Sequence, residues 1–349
     1  MRFWYPRPRI IAALVVAAIG PAHGESAIEP FFRGKVITIH VGSSAGGGYD
    51  TYARLVARHL GRHIPGRPIV TVQNMPGAGS NKAASHLFSE APKDGTAIGA
   101  LFPSAILQPL LGRAAVQHSP DKFIYLGSSS SDVLHCFMRA DAPAKTFREA
   151  QERETVLGAG NDGSTRELPA MLNNLAGAKF RIVTGFASSQ EVVFAVERNK
   201  VHGACGIGWA GFGALYPYWF DKKLVTITLQ LAIKGHPELN AMGVPLATAF
   251  ARTKEDRQAM ELVLSQGLFG RPYVLPPGVP PERAALLRKA FMEAMADPAL
   301  VADAKRTNLD IDAMSGDDLQ TLVASLYAMP SHIVERAKQS LIDLSLIHI

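Results

Sequence analysis

Twice near its start this chain runs from a strand-like stretch through a glycine-rich loop directly into a helix. Val36–Val41 is a β-branched run, and Asp50–His63 follows with apolar residues at helical spacing: Tyr52, Leu55, Val56 and Leu60. Ile69–Gln73 is a second strand, Asn81–Glu90 a second helix and Thr96–Phe102 a third strand. This βαβαβ order predicts a parallel sheet with helices on its faces. A second set of such units begins near Leu134. Strands are expected at Leu134–Arg139, Thr155–Gly158, Arg181–Thr184, Val201–Cys205 and Leu224–Leu229, with helices at Glu167–Leu175 and Ser189–Arg198. The last third reads as helical over Asp256–Gln266, Pro281–Ala296 and Asp317–Lys338. With 349 residues, two α/β domains are the natural division.

The two loops carry the chemistry. Loop one is Ser43-Ser44-Ala45-Gly46-Gly47-Gly48-Tyr49-Asp50, and loop two is Asn74-Met75-Pro76-Gly77-Ala78-Gly79-Ser80-Asn81. Glycine lets the backbone approach a ligand and turn its N–H groups toward it. The helix start behind each loop adds partial positive charge. Two such loops on one parallel sheet edge make an anion-binding floor of uncharged donors. Taken singly, each would be a tight turn that needs glycine for geometry alone.

Other phosphate and catalytic motifs fail. Neither loop contains Gly-Lys-Ser/Thr, which excludes a P-loop, and loop two lacks the third glycine of the dinucleotide fingerprint. Gly42-Ser43-Ser44-Ala45-Gly46 fits the Gly-x-Ser-x-Gly nucleophile elbow, which would make Ser44 the nucleophile of an exported esterase. The elbow would follow the first strand, with no earlier strand to supply an oxyanion loop. No catalytic residue, cofactor or metal site is therefore expected, and the chain reads as a binder rather than an enzyme.

The N-terminus reads as an export signal. Arg2, Arg7 and Arg9 precede an apolar run from Ile10 to Ile19, and Pro21-Ala22-His23-Gly24 supplies small residues for cleavage after Gly24. Ten apolar residues are too few to span a bilayer. Losing residues 1–24 lowers the formal net charge from +6 to +3. There is no Lys/Arg block, so nucleic-acid binding is unsupported. An oxidising compartment permits Cys136 and Cys205 to pair, but two small buried side chains are an equal reading. Ser345–Ile349 looks detached from the polar helix before it and is given no function.

The chain resembles the periplasmic receptors of tripartite tricarboxylate transporters, the Bug-type solute-binding proteins. The resemblance runs from about residue 31 to 338. Its marks are Ala45–Asp50 with Ala53-Arg54, the whole of loop two, Ala91-Pro92-Lys93-Asp94-Gly95-Thr96, Leu275-Pro276-Pro277-Gly278-Val279-Pro280 and Ala296-Asp297-Pro298. It implies a type II periplasmic-binding fold, with two α/β lobes and a ligand cleft between them. Lobe one would be 31–132 plus 250–340, and lobe two 133–249. It further implies capture of a small carboxylic acid in the periplasm by a monomer, for delivery to integral-membrane transporter subunits. Presentation to a signalling receptor instead is the alternative. Ser43, Ser44, Gly46, Gly47, Gly48 and Asp50 of loop one would contact the ligand, as would Gly77, Gly79, Ser80 and Asn81 of loop two. Gly163, Ser164, Thr165, Gly185 and Ser188 would face them from lobe two. Two departures stand out: Ser43 replaces a frequent aromatic residue, and His202 replaces a usual acidic one, where it is expected to pack rather than bind.

Overall fold

In the computed structural model the chain forms two mixed sheets with helices on their faces. The structure describes Met1 and residues 31–112, 116–160, 163–186, 188–209, 212 and 216–342. The export signal and the Ser345–Ile349 tail lie outside the described residues. No helix among the described residues is long and apolar enough to cross a membrane.

The first sheet contains β1 (Val36–Val41), β2 (Ile69–Asn74), β3 (Ala97–Ala100), β4 (Ile124–Ser128), β10 (Pro272–Leu275) and β11 (Met314–Ser315) in the order β11-β4-β10-β3-β1-β2. β1 lies parallel to both β2 and β3, as the βαβαβ pattern predicts. Val41 pairs with Asn74 on one side and Ala100 on the other, so all three strands end at one edge. Helix α1 (Gly48–Leu60) connects β1 to β2, and α2 (Asn81–Ser89) carries the chain back past β1 to β3. The strand order therefore reverses at β1, where an open α/β sheet leaves a crevice at its carboxyl edge. Alternation along β1 buries Ile37, Ile39 and Val41 completely.

The second sheet runs β7-β6-β8-β5-β9, from β5 (Leu134–Arg139), β6 (Thr155–Gly160), β7 (Phe180–Phe186), β8 (Gly203–Gly208) and β9 (Val225–Leu231). β6 is parallel to β7 and β8, joined through α3 (Ser164–Ala176) and α4 (Ser189–Glu197). The order reverses again, at β6. β5 is antiparallel to both β8 and β9. Cys136 and Cys205 face each other across β5 and β8 and form a disulfide, which decides between the two readings of these residues.

The chain crosses between the sheets after β4 and returns before β10. The two crossings are paired: Asp132 N–H donates to Gly267 C=O at 2.7 Å and Ser129 N–H to Arg271 C=O at 3.1 Å. On the return, α5 (Lys254–Leu264) packs against α3, as does the C-terminal helix α6 (Ser331–Ser340). Arg336 ties α6 to the buried Asp256 of α5 at 2.7 Å.

One expectation needs correction, and some elements were not expected at all. The helix expected over Asp317–Lys338 is two, Gly316–Tyr327 and Ser331–Ser340, because Pro330 has no N–H and ends the first. Strands β4 and β10 and the helix Pro298–Arg306 were not foreseen. β10 is four residues long and starts on a proline, too short a run for periodicity to mark it.

Candidate functional site

The two reversal points face one cavity of about 200 Å³. From the first sheet come Tyr49 of loop one, and Phe102, Pro103 and Ser104 just after β3. From the second come Leu134 and Ser164. The crossings supply Asp132, Gln266, Gly267, Gly270 and Arg271. A larger cavity of about 480 Å³ is lined by Arg139, Asp141, Asn199 and Trp219. It sits at the opposite end of the second sheet, away from both glycine loops, so we do not assign it as the ligand site.

Arg271 is the charged centre of the cleft. Its guanidinium carbon lies 4.3 Å from the centre of the Tyr49 ring and 5.1 Å from that of Tyr52, an arrangement favourable to a cation. Tyr52 is itself fixed, its hydroxyl donating to Asp310 C=O at 2.9 Å. Arg271 Nη1 donates to Gly270 C=O at 2.8 Å. Its Nε is buried and meets no acceptor. A Cβ at Gly48 would lie 4.0 Å from Nη2, so the guanidinium sits beside the first residue of α1. Phe102 backs Tyr49 at 4.1 Å between ring centres. Burial raises the Tyr49 hydroxyl to about 12 against the opposing pull of Arg271, so it is a neutral donor at neutral pH. Burial also pushes the Asp132 carboxyl up, with Arg271 pulling it back.

The loop residues expected at the site divide into two groups. Gly46, Gly47 and Gly48 are exposed on loop one, as are Gly77 and Gly79 on loop two. A Cβ at Gly79 would come 3.7 Å from Ser104 Oγ, which places loop two beside the cavity wall. Ser43 is half-buried and its hydroxyl donates to Ser44 C=O, while Ser44 is exposed. Asp50, Ser80 and Asn81 turn inward instead. Asp50 accepts from Gly46 N–H at 2.8 Å, Arg54 Nε at 2.9 Å and Asn74 Nδ2 at 2.8 Å. Burial pushes its carboxyl up, but these bonds outweigh burial and hold it below its ordinary value. Ser80 Oγ accepts from Phe102 N–H at 3.2 Å. Asn81 donates to Ala78 C=O at 2.7 Å, leaving its own buried carbonyl oxygen without a partner. Gly42 lets the two loops meet, since a Cβ there would lie 1.6 Å from Ser80 Oγ.

On the second sheet Ser164 reaches the cavity, and its hydroxyl donates to Gly206 C=O at 2.8 Å. Thr165 is buried, accepting from Gly160 N–H at 3.0 Å. Gly163 and Gly185 face open space on the rim. Ser188 is exposed and caps α4 by accepting from Glu191 N–H at 3.2 Å. His202 packs: its Nδ1 accepts from Val156 N–H at 3.0 Å. Among the described residues no histidine hydrogen-bonds to Ser44, so the elbow has no paired base.

Tyr49, Asp132 and Arg271 were missed by sequence reasoning. Tyr49 stood within the loop but was passed over for its glycines. Asp132 and Arg271 lie on the crossings, 139 positions apart, and no local pattern joins them.

No protein-family model matches the chain. It is 26% identical over 192 residues to a UPF0065 protein in the TAR-I ttuE-ttuC' intergenic region of Agrobacterium vitis. That match covers 50% of this chain and 51% of the relative, so the chain spans about half the length of the curated relative it matches. The fold is similar to a TctC solute-binding protein from Polaromonas, with a TM-score of 0.67 at 20% identity, covering 87% of this chain and 98% of that one. It is also similar to MatC from Rhodopseudomonas palustris with bound malate, with a TM-score of 0.57 at 19% identity, covering 88% and 99%. The two-lobed periplasmic-binding fold is thus shown, and the proteins that share it are of the kind the loop motifs resemble.

Proposed function

We propose that this chain is a periplasmic solute-binding protein of the tripartite tricarboxylate receptor type. It takes a small carboxylate into the cleft and presents it to integral-membrane transporter subunits. Export follows cleavage after Gly24. Lobe one is 31–132 with 250–340, and lobe two is 133–249, with α5 and α6 packed against α3 of lobe two. The lobe-one loops and the rim residues Gly163, Ser164, Gly185 and Ser188 close around the acid, with Thr165 buried behind them.

The observation that carries this reading is Arg271 beside the start of α1, with its guanidinium against the Tyr49 and Tyr52 rings in the cavity that separates the sheets. A guanidinium that lines the cavity next to a helix N-terminus suits a carboxylate by charge and by hydrogen bonding. This differs from the floor of purely uncharged donors expected from the loops. Nothing in the arrangement calls for a bond to be broken.

The test is a thermal-shift screen of the mature protein against a panel of small carboxylic acids and matched neutral amides. A ligand bound only to the folded state raises Tm, by about 2.7 kcal/mol of added stability at a concentration a hundredfold above Kd. At least one acid should shift Tm, its amide should not, and Arg271→Gln should abolish the shift. If no acid shifts the melt, the reading fails.

A further inference from the structure

We infer that the ligand of this cleft carries a cationic nitrogen as well as a carboxylate, and that Asp132 is the residue that receives it. The inference rests on the solute-binding reading above and narrows it from small acids in general to small zwitterions.

Asp132 is built into the cavity wall. Its backbone is pinned by the bond to Gly267, and its side chain lines the same cavity as Arg271 and Ser164. Three glycines clear the space around it. A Cβ at Gly208 would lie 3.3 Å from Asp132 Oδ1, one at Gly270 would lie 3.2 Å from Asp132 Cβ, and one at Gly267 would lie 2.5 Å from Asp132 C=O. The chain thus closes tightly around an acidic residue at the hinge.

Within this setting the carboxylate is unserved. Among the described residues no hydrogen bond or ion pair reaches it. Arg271 is near enough to influence it, yet the two do not form a salt bridge. The Arg271 guanidinium is occupied otherwise: Tyr49 lies against its face and Gly270 C=O takes Nη1. Among the described residues no hydrogen bond takes its Nη2. Two opposite charges with unmet bonding capacity therefore share one small cavity.

Asp132 is half-buried in the cavity wall, so a ligand that fills the cavity strips water from its carboxylate and must supply a donor in its place. A plain dicarboxylate cannot do so, because its second carboxylate would approach Asp132 as a like charge. An acid bearing an ammonium group satisfies both ends, its carboxylate on Arg271 and the first turn of α1, its nitrogen on Asp132. A site that places a fixed charge against the wrong ligand gains selectivity from repulsion as well as from attraction.

The experiment is calorimetric titration of the full mature chain with matched acids that differ only in an amino group: alanine against propionate, aspartate against succinate, glutamate against glutarate. At least one aminated acid should bind tenfold or more tighter than its deaminated partner. Asp132→Asn should reduce that ratio at least tenfold, with the deaminated acid binding as well as before or better, and Asp132→Glu should restore part of it. The wild-type ratios test the inference even if the Asn variant fails to fold. Preference for the deaminated member in every pair would overturn the inference while leaving the carboxylate-binding reading intact. So would equal weakening of both members by Asp132→Asn, which marks a structural role. Binding of none of the six acids would overturn the inference together with the reading beneath it.

Discussion

Asn74 Nδ2 donates to Asp50 Oδ1 at 2.8 Å and to Ser43 C=O at 3.1 Å, which ties the end of the second strand to the loop that follows the first. Arg54 completes the brace by bonding both Asp50 and Asn74 Oδ1. Loop one is therefore shaped before any ligand arrives, and the cost of ordering its glycines is met by folding. Asp50→Ala leaves Gly46 N–H without its acceptor and Asn74 Nδ2 with Ser43 C=O alone. It should lower stability at neutral pH by about 1–3 kcal/mol. The native carboxyl titrates below its ordinary value of 3.8, so its contribution is present above that pH and is lost as pH falls through the lower native value. Urea denaturation should show the gap between wild type and variant at pH 7 and its narrowing below about pH 3.8.

Gly79 has φ +59° and borders Ser104 at the cavity wall, where a β-branched residue is strained. Gly79→Val should abolish ligand binding while leaving a cooperative melt, because loop two is exposed and its neighbouring core is untouched. Titration with whichever acid shifts the wild-type melt checks this. Unchanged affinity would reduce loop two to a turn.

Half of the first sheet was legible, because β1, α1, β2, α2 and β3 follow one another with short loops and clear periodicity. The boundaries of β1 and β5 agree with the expected Val36–Val41 and Leu134–Arg139. The site was legible only where it is local. Glycines announce loops one and two, but a glycine pattern cannot say which side chains turn inward, and Asp50, Ser80 and Asn81 do. Arg271 and Asp132 meet through the hinge, a long-range pairing that no spacing along the chain encodes.

His135 offers a pH test. It is wholly buried against Phe137, Trp209 and Phe212, and neither ring nitrogen has a hydrogen-bond partner. Burial lowers its pKa from 6.5 to about 3, with a small opposing pull from the Ile207 backbone. The unfolded chain takes up this proton near pH 6.5 and the native state does not, so stability falls as pH drops from 6.5 toward 3. His135→Leu should flatten that part of the stability profile, with little loss at pH 7. Melts across the window give the comparison. A profile that is unchanged by the substitution would place the acid sensitivity elsewhere.

The Cys136–Cys205 disulfide closes a separation of 69 residues within the second sheet. Chain-entropy arguments put the stabilisation from a loop of that size at roughly 4 kcal/mol. Both cysteines are fully buried, so a reductant has little access to the native bond. Replacing both with alanine should lower the urea midpoint, and wild type should resist reductant until denaturant opens the second sheet. A double variant as stable as wild type would show that strain in the native state cancels the gain.

Closure of the cleft is the expected outcome of how the cavity is divided. Tyr49 and Ser104 belong to the first sheet and Ser164 to the second, while Arg271 and Asp132 lie on the paired crossings between them. A ligand seated on Arg271 gains further contacts only if the rim around Ser164 and Ser188 comes over it, and that difference in contacts drives the domain motion. Solution scattering should therefore give a smaller radius of gyration at saturating ligand. Ser188 tests the rim directly. Its oxygen caps α4, but its proton remains free to donate to a carboxylate. Alanine would remove the cap and the donor together, whereas glycine at an N-cap costs only a few tenths of a kcal/mol. Ser188→Gly should thus leave Tm nearly unchanged and weaken binding by about 1–2 kcal/mol. An unchanged radius together with unchanged affinity in this variant would mean that the ligand is held by the first sheet and the crossings alone.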